Sequence, residues 1–526
     1  NTKHLLYLSK FCRFFASSSY LWHTFSFERH SFATLRGYLL IMKLTHLLYT
    51  SAALAALPLA AFAQGNPSRP NLVFIMADQF RGDALGCLQQ EPVQTPHLDQ
   101  LASEGILFTE AVSSYPVSSP ARAMLMTGMY PMANGVTGNC NSLNTPYGVE
   151  LSTEAVCWSD VLKQAGYATA YIGKWHLDAP HPPYVDTSNN RGAVAWNEWC
   201  PPERRHGFDR WMAYGTYDNH LHPMYWDTLA GRDEFHYVDQ WGPAYEADRA
   251  IEFIRTESVQ SDRPFALVVS MNPPHTGYEL VPDAYKRLYD SLDVEALARQ
   301  KPYIPEKGTP EGDYFRANIR NYYACITGVD EQVGRIVQAL KDCGLFENTL
   351  LVFTSDHGVC MGGHGVEGKN VFYEEAMRIP MICCWKGRLH PQRSDLPVAF
   401  ADLYPTLFSL MGRKAEIPST VQTHDWSRYF LQEQIQTPED AFQPYYYCEP
   451  SDPTSGRRGI RTARYTYVVD VQKGKVTQTW LYDQTTDPGQ LHNVAESQPA
   501  RCDSLRQTLL QWLGKTHDPF VKYLTH

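Results

Sequence analysis

Residues 71–79 read NLVFIMADQ: Asn71, five apolar residues in succession, then Ala77, an acid and an amide. A run that is apolar at every position, and too short for a buried helix, predicts a strand of a parallel sheet covered on both faces. Three later runs have the same form: Ala168–Ile172, Phe265–Met271 (FALVVSM) and Thr349–Thr354 (TLLVFT). Helical patterns separate them. Thr95-Pro96 places a cap and a first-turn proline before HLDQLASE, with Gly105 as the stop. Tyr322, Ile326, Val329, Val333, Ile336, Val337 and Leu340 recur at helical spacing ahead of Gly344. The alternation predicts an α/β fold, with a mostly parallel central sheet sandwiched by helices.

The two ends of the chain read differently. Gly459–Tyr482 holds two or three β-type runs about a Lys473-Gly474-Lys475 turn, and Ala500–Leu513 is amphipathic. A smaller C-terminal α+β domain of antiparallel sheet and one helix is therefore expected over 426–526, after a larger one over 64–425. At the other end stand Met42-Lys43, an apolar run from Leu47 to Ala60, and Ala61-Phe62-Ala63. These have the form of a secretory signal peptide over 42–63, its apolar stretch too short to span a membrane. Residues 1–41 then read as upstream translation outside the mature protein, and the expected address is periplasmic or secreted.

The whole chain carries a formal charge of −10. Its first 63 residues hold six basic side chains (Lys3, Lys10, Arg13, Arg29, Arg36, Lys43) and one acidic (Glu28), so the remainder stands at −15. Such acidity argues against nucleic acid as a partner, and any site for an anion must concentrate positive charge locally. The cysteines show no CxxC pairing of zinc type, and a chain this long needs no disulfide framework.

Each predicted strand runs into polar residues that a core does not need. They are Asp78-Gln79, Gly173-Lys174-Trp175-His176, Asn272-Pro273-Pro274-His275 and Asp356-His357-Gly358. In a parallel sheet the carboxyl ends of the strands share one edge, so these groups are expected to converge in one crevice. Singly, an Asp after a strand reads as a helix cap; four such endings together do not. A fifth element is Ser118-Ser119-Pro120-Ala121-Arg122. Pro120 suits a first helical turn, which puts Ser118 just ahead of a helix N-terminus, where free amides and the dipole favour an anion. A capping role would explain the serine but not Arg122.

SSPARAMLMTG (118–128) resembles the signature of the formylglycine-dependent type I sulfatases, in the alkaline phosphatase-like superfamily. The resemblance continues, in the family's order, through PNLVFIMADQ, TPHLDQLASEGILFTEAV, GYATAYIGKWHL, NPPH, SDHGVCMGGHGVEGKNVFYEEAMRIP and LYDQTTDPGQLHN. It implies that Ser118 is oxidised to formylglycine (3-oxoalanine), and a serine here resembles the substrates of the anaerobic bacterial maturase, an implied partner. It also implies a metal held by Asp78, Gln79, the modified Ser118, Asp356 and His357, with Ca2+ expected because most donors are oxygens. Gln79 and His357 depart from the Asp and Asn found in many members. By the same analogy His176 is the base that releases sulfate, and His275 and Lys369 protonate or stabilise the leaving alcohol. Arg122 and Lys174 hold the hydrate and the sulfate oxygens.

Between Tyr184 and Trp241 the sequence is less regular and rich in aromatics, the composition of a sugar subsite. His220 and His222 are candidates there for hydroxyl recognition, with Arg457 and Arg458 from the C-terminal domain. The expected activity is hydrolysis of a sulfate ester, on a carbohydrate. Two rivals stand beside it: a phosphonate or phosphate monoester hydrolase of the same superfamily, and a non-catalytic glycan-binding relative.

Overall fold

The NLVFIM strand lies near the middle of a ten-stranded sheet. The computed structural model describes residues 69–525, apart from 261 and 439. The expected signal peptide (42–63) and the stretch before it (1–41) lie outside the described residues.

In chain order the strands are β1 (Asn71–Ala77), β2 (Ile106–Phe108), β3 (Ala168–Lys174), β4 (Arg210–Tyr214), β5 (Met224–Asp227), β6 (His236–Tyr237), β7 (Phe265–Met271), β8 (Thr349–Ser355), β9 (Met381–Cys384) and β10 (Gln392–Ser394). Their spatial order is β10-β2-β9-β8-β1-β7-β3-β4-β5-β6. The centre, β8-β1-β7-β3-β4, is parallel throughout, and antiparallel pairs begin at β9 and at β5.

Successive residues of β1 enter opposite cores, which is why the run has no polar position. Val73, Ile75 and Ala77 pack with Ile254, Tyr322 and Ile326 of the helices Gly242–Gln260 and Pro310–Asp342. Leu72, Phe74 and Met76 pack with Ala121, Leu125, Leu162 and Leu407, from helices on the other face. Each large side chain so buried contributes about 1.5–3 kcal/mol. The register then delivers the polar strand ends to one edge: Ala77 lies opposite both Met271 and Ser355, and Gly173 opposite Ser270.

Two regions differ from expectation. The stretch 184–241 is not an irregular insertion, because β4, β5 and β6 within it extend the sheet. These strands are two to five residues long and separated by Asp, Asn and Gly, so no periodicity builds up. The C-terminal sheet has four strands: β11 (Phe442–Cys448), β12 (Gly456–Thr462), β13 (Tyr465–Gln472) and β14 (Lys475–Asp483). β11 is hidden in the sequence by Pro444, which an edge strand tolerates. Leu505, Leu509, Trp512 and Leu513 of the helix Pro499–Lys515 cover this sheet, and Tyr115, Val117 and Met124 join the same core. The C-terminal sheet therefore buttresses the Ser118 segment directly.

Among the described residues no helix is long and apolar enough to cross a membrane, and every cysteine is a free thiol.

One buried acid behind the sheet has a measurable consequence. Glu246 accepts hydrogen bonds from the hydroxyls of Tyr225 (3.1 Å) and Tyr214 (3.5 Å), and its Oε2 is buried without a partner. Burial pushes its pKa up to about 8. A raised folded pKa stabilises the fold below the ordinary carboxylate value, and that stability is lost as pH rises through about 8. The slope is at most about 1.4 kcal/mol per pH unit. Glu246→Gln is expected to flatten this decline and to raise the thermal midpoint at about pH 9. An unchanged pH profile of the midpoint would count against a protonated Glu246.

Candidate active site

Ser118 opens the helix Ser118–Thr127 as its first residue, and the capping position is Val117, which has no side-chain acceptor. The serine is not spent on capping. Its Oγ lies 3.1 Å from Asp78 Oδ2 and 3.0 Å from His357 Nε2. Ser119 ties the helix to the next loop instead, donating to the His176 carbonyl (2.7 Å) and accepting from Cys140 N–H (3.0 Å).

The strand ends meet around that hydroxyl. Gly173 sits at φ +102°, where a Cβ would come 2.1 Å from the Ser270 carbonyl oxygen, so only glycine lets β3 lie this close to β7 and set Lys174 at the edge. Gln79 and His176 both adopt left-handed φ (69° and 55°), an uncommon conformation that turns the chain sharply as it leaves each strand.

Arg122 organises the acids. Its Nε donates to Asp356 Oδ2 (2.9 Å), Nη2 to Asp78 Oδ2 (3.1 Å), and Nη1 to the Lys174 carbonyl and Ser270 Oγ (both 2.7 Å). The guanidinium is thus engaged by protein groups and only 1% exposed, which does not suit the expected direct grip on sulfate oxygens. Lys174 Nζ bridges Asp78 Oδ2 (2.8 Å) and Asn272 Oδ1 (3.0 Å). Burial alone would raise the Asp78 carboxyl, but Lys174 and the other cations hold it well below the ordinary carboxylate range.

Asp78, Asp356 and His357 each bring a ligand atom within 4.8 Å of the others. Asp78 Oδ1 is buried without a hydrogen-bond partner. His357 Nδ1 lies 2.8 Å from the Gly358 carbonyl; donating its proton there leaves the Nε2 lone pair facing Ser118 and Asp78. Burial lowers the His357 pKa and so favours that neutral form. An orphaned carboxylate oxygen, a second carboxylate and a bare imidazole nitrogen around one hydroxyl fit a divalent cation. Gln79, the remaining expected ligand, presents its Oε1 to Lys369 Nζ and its Nε2 to the Tyr278 hydroxyl (2.9 Å).

The other residues lie beside the same cluster. His176 is buried with neither ring nitrogen partnered, and burial, then Lys174 and Arg122, keep it neutral by pushing its pKa well down. His275 Nε2 is 2.8 Å from Lys369 Nζ. Burial brings Lys369 down to about 8, an ammonium ready to part with a proton.

The expected sugar-binding residues scatter. His220 is buried and its Nε2 faces the Thr276 and His275 carbonyls (3.0 and 3.3 Å), so it supports the His275 loop and is not free for substrate. His222 is exposed and pairs with Asp239 at 3.0 Å. Arg458 points into the C-terminal core: it is 1% exposed, holds Asp518 at 2.7 Å and lies over Phe520, which removes it from substrate contact. Arg457, on the opposite face of β12, remains partly open, pairing with Asp470 and lying over Tyr447 and Trp480. Trp480 in turn packs on Phe372, three residues beyond Lys369. Trp211, Tyr214, Tyr217, Tyr225 and Trp226 are core residues, and Trp196 and Trp199 are half-buried.

A second group of metal-capable side chains, Cys157, Asp160 and His206, has a structural explanation. Asp160 caps its own helix by accepting from Cys157 N–H at 3.0 Å, and the same oxygen lies 3.4 Å from His206 Nδ1.

Comparison with known proteins decides what the crevice belongs to. Residues 70–413 match the sulfatase family, and residues 362–517 match the C-terminal region of N-sulphoglucosamine sulphohydrolase. The chain belongs to the sulfatase family. It is a sulfuric ester hydrolase, and the family implies both a formylglycine and a metal site. An endo-4-O-sulfatase of Bacteroides thetaiotaomicron is 35% identical over 81% of this chain and 88% of its own. An ulvan-active sulfatase of Formosa agariphila is 32% identical over 82% of this chain and 78% of its own. The crystal structure of yidJ from Bacteroides fragilis superposes with a TM-score of 0.86 at 62% identity, covering 88% of this chain and 99% of that one.

Proposed function

We propose that this sulfatase is exported and removes sulfate from a glycan, through a formylglycine made from Ser118 and with Ca2+ at Asp78, Gln79, Ser118, Asp356 and His357. The observation that carries the reading is the placement of the Ser118 hydroxyl, 3.1 Å from Asp78 and 3.0 Å from His357, at the start of a helix with a spare cap. Relatives named as an ulvan-active sulfatase and an endo-4-O-sulfatase support a glycan, and the signal peptide pattern at 42–63 supports export. An anaerobic-type maturase is the partner that a serine precursor requires.

The bound cation would supply Lewis acidity at the nucleophilic oxygen and the ester. Ser118, once oxidised and hydrated, offers two hydroxyls. One, as its alkoxide with its proton released to solvent, forms the new bond to sulfur as the S–OR bond breaks; the second loses its proton as the aldehyde reforms and sulfate departs. The residues around it divide the proton work. His275 and Lys369 give a proton to the leaving alkoxide, and neutral His176 takes one from the second hydroxyl. Lys174 and Lys369 offer the positive charge that an anionic ester needs, while Arg122 keeps Asp78 and Asp356 apart and oriented.

Competition between aryl sulfate, aryl phosphate and phenyl phosphonate monoester tests the reading. A specificity constant for the sulfate at least about 100-fold above both phosphorus esters is expected, since pocket charge tunes such scaffolds between esters. A higher constant on either phosphorus ester would overturn it.

A further inference from the structure

His275 has a second partner that no motif singles out. Asp218 lies in the loop after β4, 57 positions before His275 in the chain, and its Oδ1 is 3.1 Å from His275 Nδ1. The carboxylate is itself held: Asn272 Nδ2 donates to the same Oδ1 at 3.0 Å and to the Tyr217 carbonyl at 2.9 Å. Asn272 Oδ1 meanwhile accepts from Lys174. His220 anchors the loop from the other side through the His275 and Thr276 carbonyls. Three elements therefore converge to place one carboxylate on one imidazole nitrogen, and the opposite nitrogen faces Lys369 at 2.8 Å.

We propose that Asp218 is a positioning residue for leaving-group protonation, fixing His275 with its Nδ1 proton on the carboxylate so that Nε2 is the nitrogen that donates to the departing oxygen. This rests on the sulfatase mechanism proposed above. In that step the S–OR bond breaks, its electron pair stays on the alkoxide oxygen, and a proton passed from the Lys369 ammonium, 2.8 Å away, through His275 Nε2 makes the alcohol. What remains is the neutral imidazole with Nδ1–H still on Asp218 and a neutral Lys369 amine, which regains its proton from solvent.

The electrostatics show why such a group is needed. Burial first, then the Lys369 ammonium, bring His275 down to about 4, and Asp218 acts in the opposite direction, together with Asp78. Without a carboxylate on Nδ1 the protonated ring would face Lys369 and Lys174 with only the more weakly acting Asp78 to offset them. Thr276 Oγ1 also lies 3.0 Å from Nδ1, but a neutral hydroxyl cannot balance an imidazolium charge.

The test is a leaving-group series on the matured enzyme. Steady-state kinetics are measured for aryl sulfates from 4-nitrophenyl to 4-methoxyphenyl, with Asp218→Asn, Asp218→Glu and Thr276→Val beside the parent. A good leaving group needs little protonation and a poor one needs much. Asp218→Asn is expected to lower kcat about threefold on 4-nitrophenyl sulfate and about 100-fold on the 4-methoxyphenyl ester, with KM little changed. Asp218→Glu should restore most of the loss, and Thr276→Val should leave the slope of the series unaltered. A loss equal across the series, or confined to KM, would overturn the role and make Asp218 a substrate contact or a purely structural residue. Failure of the parent to release sulfate from any ester would instead remove the mechanism beneath it, and that result appears before any substitution is made.

Discussion

Ser118→Ala is expected to abolish sulfate release and leave the protein folded. The hydroxyl is the atom on which the whole crevice converges, yet little of the fold depends on it. Its two contacts are to Asp78 Oδ2, which keeps Arg122 and Lys174, and to His357 Nε2, which is spare. Losing it should cost about 1 kcal/mol, the usual net worth of one hydrogen bond. The catalytic loss belongs to another scale. Removing the nucleophile of a covalent mechanism lowers kcat by roughly 10^4-fold or more, because binding and electrostatics alone remain. The same outcome is expected for unsubstituted protein made in a host without a serine-type maturase, which separates the chemistry of the residue from its presence. Measured sulfate release together with the thermal midpoint decides it; an active Ser118→Ala enzyme would sink the mechanism.

Arg122→Met should act on the fold as strongly as on the chemistry. Asp78 and Asp356 are buried and both bond the same guanidinium, at 3.1 and 2.9 Å. Taking the cation away leaves two carboxylates facing each other in a low-dielectric site with Lys174 reaching only one of them. Breaking a buried pair in this way costs about 3–5 kcal/mol, a large part of an ordinary stability of about 5–15. The loss should be visible as a thermal midpoint lower by several degrees. Millimolar Ca2+ should recover part of it, since an ion that binds the folded state replaces the missing charge and stabilises by mass action. A midpoint that does not move would mean that the two acids are already neutralised in some other way. A midpoint that falls and ignores Ca2+ would contradict the metal assignment.

How far the sequence could be read follows from physical features of particular elements. β1, β3, β7 and β8 were legible because strands buried on both faces are apolar at every position, and their polar endings then stood out. β4, β5 and β6 were not, since strands of two to five residues carry too few alternations to register. The Ser118 segment posed a choice between cap and nucleophile that residue types do not resolve. The structure removes the capping reading by placing Val117 at the cap. Arg457 and Arg458 look equivalent in sequence but occupy opposite faces of β12. Parity was an available signal: 458 is in phase with Ile460, a core residue, and 457 is not. Asp218 left no signal at all. It is one exposed acid in a loop, and only the fold brings it to His275.

The helix start, the carboxylates and the basic residues all gain their meaning from one modification, so the most direct measurement is mass spectrometry of the peptide containing Ser118, from protein purified out of its own host. The account predicts a peptide two hydrogens lighter than the encoded serine form, with reactivity toward hydrazines that marks an aldehyde. Fully active enzyme whose Ser118 peptide has only the encoded mass would contradict it.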